Sequence, residues 1–560
     1  MREKFKKGTF TPDSMLSCKT LFKATGLSDD DFERPVIGIA NSYNDIVPGH
    51  KNLRELAERV KYGVYRAGGT PVEFGTIAVC DGVCTTHSGS RYSLPSREIT
   101  ADSIEIMVRA HKLDGLVLLG SCDKTVPGML MAAARLDIPC IFLAGGPSLG
   151  GSAFMEKKKS DSTVIAEAYG KYEAGKMDRE TLDSISETSC PTIGSCQHMA
   201  TANTMCCVAE AMGLSIPGSA MIPAVFNERS RVAVETGEQI VKLVVEGITS
   251  NDIMNIDSIE NAIKVILATG GSTNSVIHMV AIANELGIDS KKIMSMFETL
   301  GDRIPLIASV NPSSNKYDAL DFYYAGGIPR IMENMKSELN LDVMTVSGNT
   351  VGENIKNYNY SYPENKEVIT DMENPFSDLP GIAIMRGNLA KYTAVAKPAA
   401  IAKEVRYFKG NAICFDSEDE CNEAIINQKV KPGHVVVIRY EGPKGGPGMP
   451  EMFKPMKMLY GQGLNKTTAL ITDGRFSGTN NGCFVGHISP EAAEGGLLAL
   501  VEDGDEILID IVNRKVELLV EDDEIENRRK KYDYQPKAQK GYLKRYEKMA
   551  RSADKGGILA

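Results

Sequence analysis

Three segments of the 560-residue sequence set thiols and carboxylates beside glycine turns. In GSCDKTVPG, Cys122, Asp123 and Lys124 follow an apolar run and precede a helical pattern. A thiol at a helix N-terminus is drawn toward thiolate, the form that ligates metal. The same triplet also reads as a strand-end cysteine with a capping aspartate and a surface lysine. In CDGVCTTHSG, Asp81 stands at an expected strand end, where a carboxylate suits a hard cation such as magnesium. Cys80, Cys84 and His87 mimic half of a zinc site, but no CxxC pair completes it, and Cys80 reads as buried. ETSCPTIGSCQHMATANTMCCVAEAMG adds Cys190, Cys196 and His198, with Cys196 placed before a helix much as Cys122 is. Cys206 and Cys207 fall inside that helix and read as core thiols.

Three glycine-rich turns follow. VILATGGSTNSVIH reads as a strand, a turn and a helix start, which would aim backbone N–H groups at a carboxylate. EGPKGGPGMPEM lacks the GKS or GKT ending of a nucleotide loop, and Glu451 at its end reads as either a ligand or a surface acid. ITDGRFSGTNNG sets Ser477 in another strand-end turn, which by itself resembles a hairpin loop. The spacing of Cys122 and Cys196 matches no local iron–sulfur pattern. Together these groups point to a metal-dependent enzyme acting on a small anion.

The elements that must position them alternate. Apolar runs at 36–40, 76–80, 116–119 and 140–144 read as strands, and periodic segments after 50, at 96–111 and at 127–136 read as helices. Strands separated by single helices predict a doubly wound parallel sheet, which binds ligands at the carboxyl ends of its strands. The sheet is expected to continue to about residue 350. After Gly381, short β runs broken by glycine turns predict a smaller, barrel-like C-terminal domain. The division expected is an α/β domain over 1–345, a polar linker over 346–375 and a β-rich domain over 376–560, whose charged tail reads as a helix and a surface terminus.

Composition narrows the class. A formal charge of −10 disfavours nucleic acid and anionic membranes as partners. No apolar run is long enough for a membrane span, and the charged N-terminus lacks a secretory signal. The 12 cysteines therefore read as reduced thiols or ligands in a cytoplasmic enzyme.

YSLPSREITADS, GSCDKTVPGMLMAAARLDIP, TANTM, LATGGSTNSVIH, EGPKGGPGMPEM and TDGRFSGT, in that order, resemble the dihydroxy-acid and phosphogluconate dehydratase family, from FKATGL to SADKG. The length and the YSLPSRE, GPKGGPGM and FSGT forms look most like the dihydroxy-acid branch, which serves valine and isoleucine synthesis. The resemblance implies dehydration of a 2,3-dihydroxy acid to a 2-keto acid by an iron–sulfur cluster and magnesium, in a homodimer. It implies Cys122 and Cys196 as cluster ligands, Asp81, Asp123 and Glu451 as magnesium ligands, Lys124 as a carbamylated ligand, and Ser477 as the base that takes the C2 proton.

The sequence departs from the family in its loops. Members with a two-iron cluster carry a cysteine where this chain has Gly49, so Cys80, Cys84 or Cys190 would have to replace it, or the cluster is of the four-iron type, the reading favoured. DGVCTTHSGS, Ile193, Gln197-His198 and NLAKYTAVAK also differ from the common forms. Their polarity keeps a second reading open, a sugar-acid dehydratase giving a 2-keto-3-deoxy acid. A non-catalytic iron–sulfur protein is disfavoured by the joint presence of Asp81, Asp123, Lys124, Glu451 and Ser477.

Overall fold

A computed structural model describes residues 9–10, 12–153, 158–173, 175–314, 316–377, 379–476, 482–537 and 539–560. Ser477 lies outside the described residues.

The apolar runs form a four-stranded, all-parallel sheet from β1 (Val36–Asn41), β2 (Thr70–Gly75), β3 (Gly115–Gly120) and β4 (Cys140–Ala144), in the order β2-β1-β3-β4. Helices Leu53–Arg66, Ser93–His111 and Thr125–Leu136 make the crossovers. Strands β1, β3 and β4 are fully buried, as their unbroken apolar runs require. The second strand lies earlier than its expected place at 76–80. Thr70-Pro71 opens it, and a proline is tolerated there because β2 is an edge. Residues 76–80 leave the sheet after one last bond from the Thr76 N–H to the Asn41 carbonyl (3.0 Å).

The sheet does not continue to residue 350. A two-stranded ribbon, β5 (Gly151–Ala153) with β6 (Lys158–Ser160), follows it. After that the described residues form helices and no strand before residue 383. The VILAT segment, 265–269, expected as a strand belongs to the buried helix Ile256–Thr269, since a short apolar run looks alike in both settings. Helix Asn227–Glu246 covers Leu53–Arg66 closely because Gly63 and Gly237 meet, where a Cβ on either would collide with the other helix's carbonyls. Val346, Val351, Val368 and Ile369, within the segment read as a linker, are buried in this same core.

The C-terminal half holds an eight-stranded sheet of β7 (Ala383–Met385), β8 (Thr393–Ala396), β9 (Tyr407–Phe415), β10 (His434–Ile438), β11 (Ala469–Thr472), β12 (Cys483–Ser489), β13 (Glu506–Asp510) and β14 (Lys515–Leu518). Its order is β14-β13-β9-β10-β11-β12-β8-β7, with β9 to β12 parallel. The backbone of Arg386, just after β7, bonds with Arg514 and Val516 (both 2.8 Å) and brings the two edges together into a nearly closed barrel. The final segment is not a surface terminus. Ala553 and Ile558 are buried, and the Gly556 carbonyl accepts a bond from Arg97 Nη2 (2.8 Å) in the N-terminal half. Among the described residues, no helix is long and apolar enough to cross a membrane.

Candidate active site

The order β2-β1-β3-β4 reverses between β1 and β3, and such a reversal opens a crevice beyond the strands' carboxyl ends. The loop after β1 brings Gly49 and His50 there, and the loop after β3 brings Cys122, Asp123 and Lys124. Residues 76–80 run from β2 to a short helix, Asp81–Cys84, with Asp81 at its first position. The barrel supplies Glu451 from the turn after β10, and a bridge pairs Glu451 with Arg475 of the segment after β11.

Asp81, Asp123 and Glu451 offer carboxylate oxygens within 4.8 Å of one another, the only such group of metal-binding side chains among the described residues. Two cations face them. Lys124 Nζ lies 2.5 Å from Asp81, 3.7 Å from Asp123 and 3.9 Å from Glu451. Arg475 Nη1 lies 2.8 Å from Glu451 and 3.7 Å from Asp81. Both are wholly buried, so the five groups are held by mutual pairing and hydrogen bonds. Ser93 Oγ donates to Asp81 and Asn274 Nδ2 to Glu451 (2.6 Å). Burial pushes the Asp81 carboxyl up, but the Lys124 and Arg475 charges outweigh it and hold Asp81 below the usual range. Asp123 rises to about 7, first by burial and then by the Asp81 charge beside it.

The thiols gather on the adjoining side. The Cys122 and Cys80 side chains share a hydrogen bond, Cys196 feels the charge of Cys80, and Cys122 feels the charges of both. Cys122 does not become the thiolate that a helix start would favour, because the bond to Cys80 and burial hold its proton well above the ordinary thiol range. Cys80 is half-buried, and the same bond lowers it. The zinc-like pattern is not assembled, since His87 Nδ1 accepts from the Gly89 N–H instead (3.0 Å). Cys206 and Cys207 are core thiols, as expected.

Several residues that the sequence left unassigned hold this arrangement. His50 Nε2 accepts the Cys122 N–H (3.0 Å) while its other nitrogen meets the Ser42 carbonyl (2.9 Å), so Nδ1 carries the proton. Burial lowers this ring to about 4 and keeps it neutral. Asn203 Nδ2 donates to the Cys196 and His198 carbonyls (2.7 and 2.8 Å), clamping the cysteine loop. The GGSTN turn is not an open anion cradle. Its Ser272 N–H donates to Thr204 Oγ1 (3.1 Å), and Ser272 shares a bond with Thr201. His198 is buried 3.7 Å from Asp161, and Gln197 turns to Cys190, so neither is a free polar surface.

The donor set fits the groups that the family resemblance implies. Three carboxylates suit a hard divalent cation, and three thiols suit iron. Arg475 Nη2 and Asn274 Oδ1 are buried with no partner among the described residues, as atoms awaiting a ligand would be.

Parallel-sheet and barrel halves that share a thiol and carboxylate crevice define the class. Residues 34–354 match the family model for the dihydroxy-acid/6-phosphogluconate dehydratase N-terminal region, and residues 367–557 match its C-terminal region. The chain belongs to this dehydratase family and is a hydro-lyase. Among similar curated proteins, the dihydroxy-acid dehydratase of Caldanaerobacter subterraneus subsp. tengcongensis is 48% identical over 97% of this chain and 96% of its own length. That of Pyrococcus furiosus is 48% identical over 97% of each, and that of Methanosarcina barkeri 46% over 97% of each.

Proposed function

We propose that the chain is a dihydroxy-acid dehydratase of branched-chain amino-acid synthesis, dependent on a four-iron cluster and magnesium and working as a cytoplasmic homodimer. The observation that carries the reading is the joint of three buried carboxylates, Lys124 and Arg475 beside the Cys80–Cys122–Cys196 thiols. The names of the relatives support the substrate class.

When bound, the two groups supply Lewis acidity, magnesium for the substrate's carboxylate end and iron for the departing hydroxyl. The protein's part is orientation and proton transfer. Asn274 and Arg475 fix Glu451, and Ser93 fixes Asp81, so the carboxylates keep one geometry while charge builds on the substrate. Ser477, assigned from its FSGT motif, takes the C2 proton. Lys124 becomes an oxygen donor by adding its neutral amine to carbon dioxide. An N–C bond forms and one N–H proton leaves to solvent, which replaces a cation among the carboxylates by an anion able to bind metal.

The test is anaerobic keto-acid formation by cluster-reconstituted, magnesium-loaded protein, comparing 2,3-dihydroxyisovalerate with gluconate and other aldonates. Preference for dihydroxyisovalerate is expected. Preference for an aldonate would overturn the substrate and make the altered loops its determinants. Turnover without iron would overturn the cofactor.

A further inference from the structure

We propose that Cys80 is the third protein thiolate of the iron–sulfur cluster, replacing a ligand that this chain lacks at Gly49. The inference rests on the cluster reading above and deepens it.

A Cβ built at Gly49 would stand 3.2 Å from Cys122 Sγ and 3.3 Å from Ser195 Cα, so a cysteine at this point would put its sulfur between the Cys122 and Cys196 loops. This chain has only hydrogen there. The neighbouring loop supplies sulfur from another direction. Cys80 ends the extended run after β2, its side chain shares a hydrogen bond with Cys122, and the Val83 N–H also bonds to its sulfur. An N–H aimed at sulfur stabilises a thiolate ligand and tunes the metal it binds.

Cys84 and Cys190 also feel the Cys80 charge, but neither is the thiol that bonds to Cys122. The charges Cys84 feels most are those of Asp81, Lys124 and Glu451, which puts it against the carboxylate side. Cys190 is exposed and held by the Gln197 amide (3.5 Å). Cys206 and Cys207 are locked in a buried helix. Cys80, Cys122 and Cys196 come from three separate loops and do not converge on one point as the ligands of a single ion do. A cluster accepts ligands from three separate loops, because each thiolate takes a different iron. Three thiolates on a four-iron cluster leave one iron without a protein ligand, and a departing hydroxyl needs such an open position.

The test reads the cluster rather than turnover. Full-length wild type, Cys80→Ala, Cys80→Ser, Cys84→Ala, Cys190→Ala and Cys122→Ala are reconstituted anaerobically with iron and sulfide. Bound iron and sulfide are then measured, with the electron paramagnetic resonance spectrum after reduction. Both Cys80 variants and Cys122→Ala should lose about ten-fold in bound iron or show an altered spectrum, while Cys84→Ala and Cys190→Ala match wild type. Circular dichroism of the apo-proteins checks the fold, and near-isosteric Cys80→Ser keeps the test valid if the alanine variant unfolds. Unchanged iron and spectrum in folded Cys80→Ser, with loss in Cys122→Ala, would overturn the Cys80 assignment alone. An unchanged cluster in Cys122→Ala as well would overturn the cluster reading itself.

Discussion

The two faces of the crevice are built differently. The N-terminal face carries every gathered thiol, two carboxylates and Lys124, on loops fixed by side chains that reach for backbone. His50 holds the Cys122 N–H, and Asn203 holds the carbonyls around Cys196. The C-terminal face gives one carboxylate and one arginine, on two segments of the barrel tied by backbone bridging and by tight glycine packing. Soft donors thus stand on one half of the chain while hard donors come from both. The difference teaches that, on the proposed cofactor reading, the thiols for the cluster come from the first half alone, whereas the three carboxylates meet only when the halves are docked.

Substitutions should separate the faces, and the largest effect is expected where one face is struck alone. Cys122→Ser and Cys196→Ser should lose bound iron and with it all turnover. Glu451→Gln should keep iron while keto-acid formation falls about 10³-fold, because the remaining amide is a poor ligand for a hard cation. Iron content and initial rate measured on the same samples check both, and iron loss in Glu451→Gln would break the separation. Ser477→Ala belongs with the second group, retaining iron and losing turnover. Full activity in that variant would remove the serine from its proposed role. Chelation of magnesium should likewise abolish turnover reversibly with iron retained.

A smaller effect is expected from the packing that joins the faces. Gly448 has φ +90°, and a Cβ there would collide with the Arg91 carbonyl of the N-terminal half. Gly448→Ala should therefore cost about 1–3 kcal/mol in backbone strain alone, read as a lower denaturant midpoint. It should also raise KM for magnesium by displacing Glu451, whereas Gly504→Ala, also at positive φ but with open space around it, should leave that KM unchanged.

The contrast also marks how far the sequence could be read. Cys122, Asp123 and Lys124 are adjacent in the chain, and the strand–turn–helix pattern around them is local, so their place in a crevice was legible. The barrel was legible from its short β runs. Arg475, Asn274 and His50 were not, because their roles depend on which loops meet. Arg475 finds Glu451 through a bridge between separate segments, and Asn274 finds it across the domains. The signals lay in the right motifs, the arginine of TDGRF and the asparagine of GGSTN, but a motif does not say which way its side chain faces. The sheet was overextended past β4 for a related reason. Helix Ile256–Thr269 is buried all round from Asn261 onward, and its apolar run imitates a strand.

The smallest effect concerns acid. His487, on β12, is buried with both ring nitrogens unpartnered among the described residues, and burial followed by the Arg475 charge lowers it from 6.5 to about 3. Its folded value lies below its unfolded one, so the neutral ring is the form that folding favours. The contribution is complete above the unfolded value and is lost as pH falls from about 6.5 toward 3, while the unfolded chain takes up a proton that the folded chain refuses. Between pH 7 and pH 5 this group should remove about 2 kcal/mol of stability. His487→Asn is the variant to compare, since asparagine tolerates the positive φ of 55° at this position and carries no titrating proton. Its denaturant midpoint should fall less between those pH values than that of the wild type. Equal falls would mean that water or a neighbouring group already satisfies the ring, and that the C-terminal face is no more acid-sensitive here than its surface carboxylates make it.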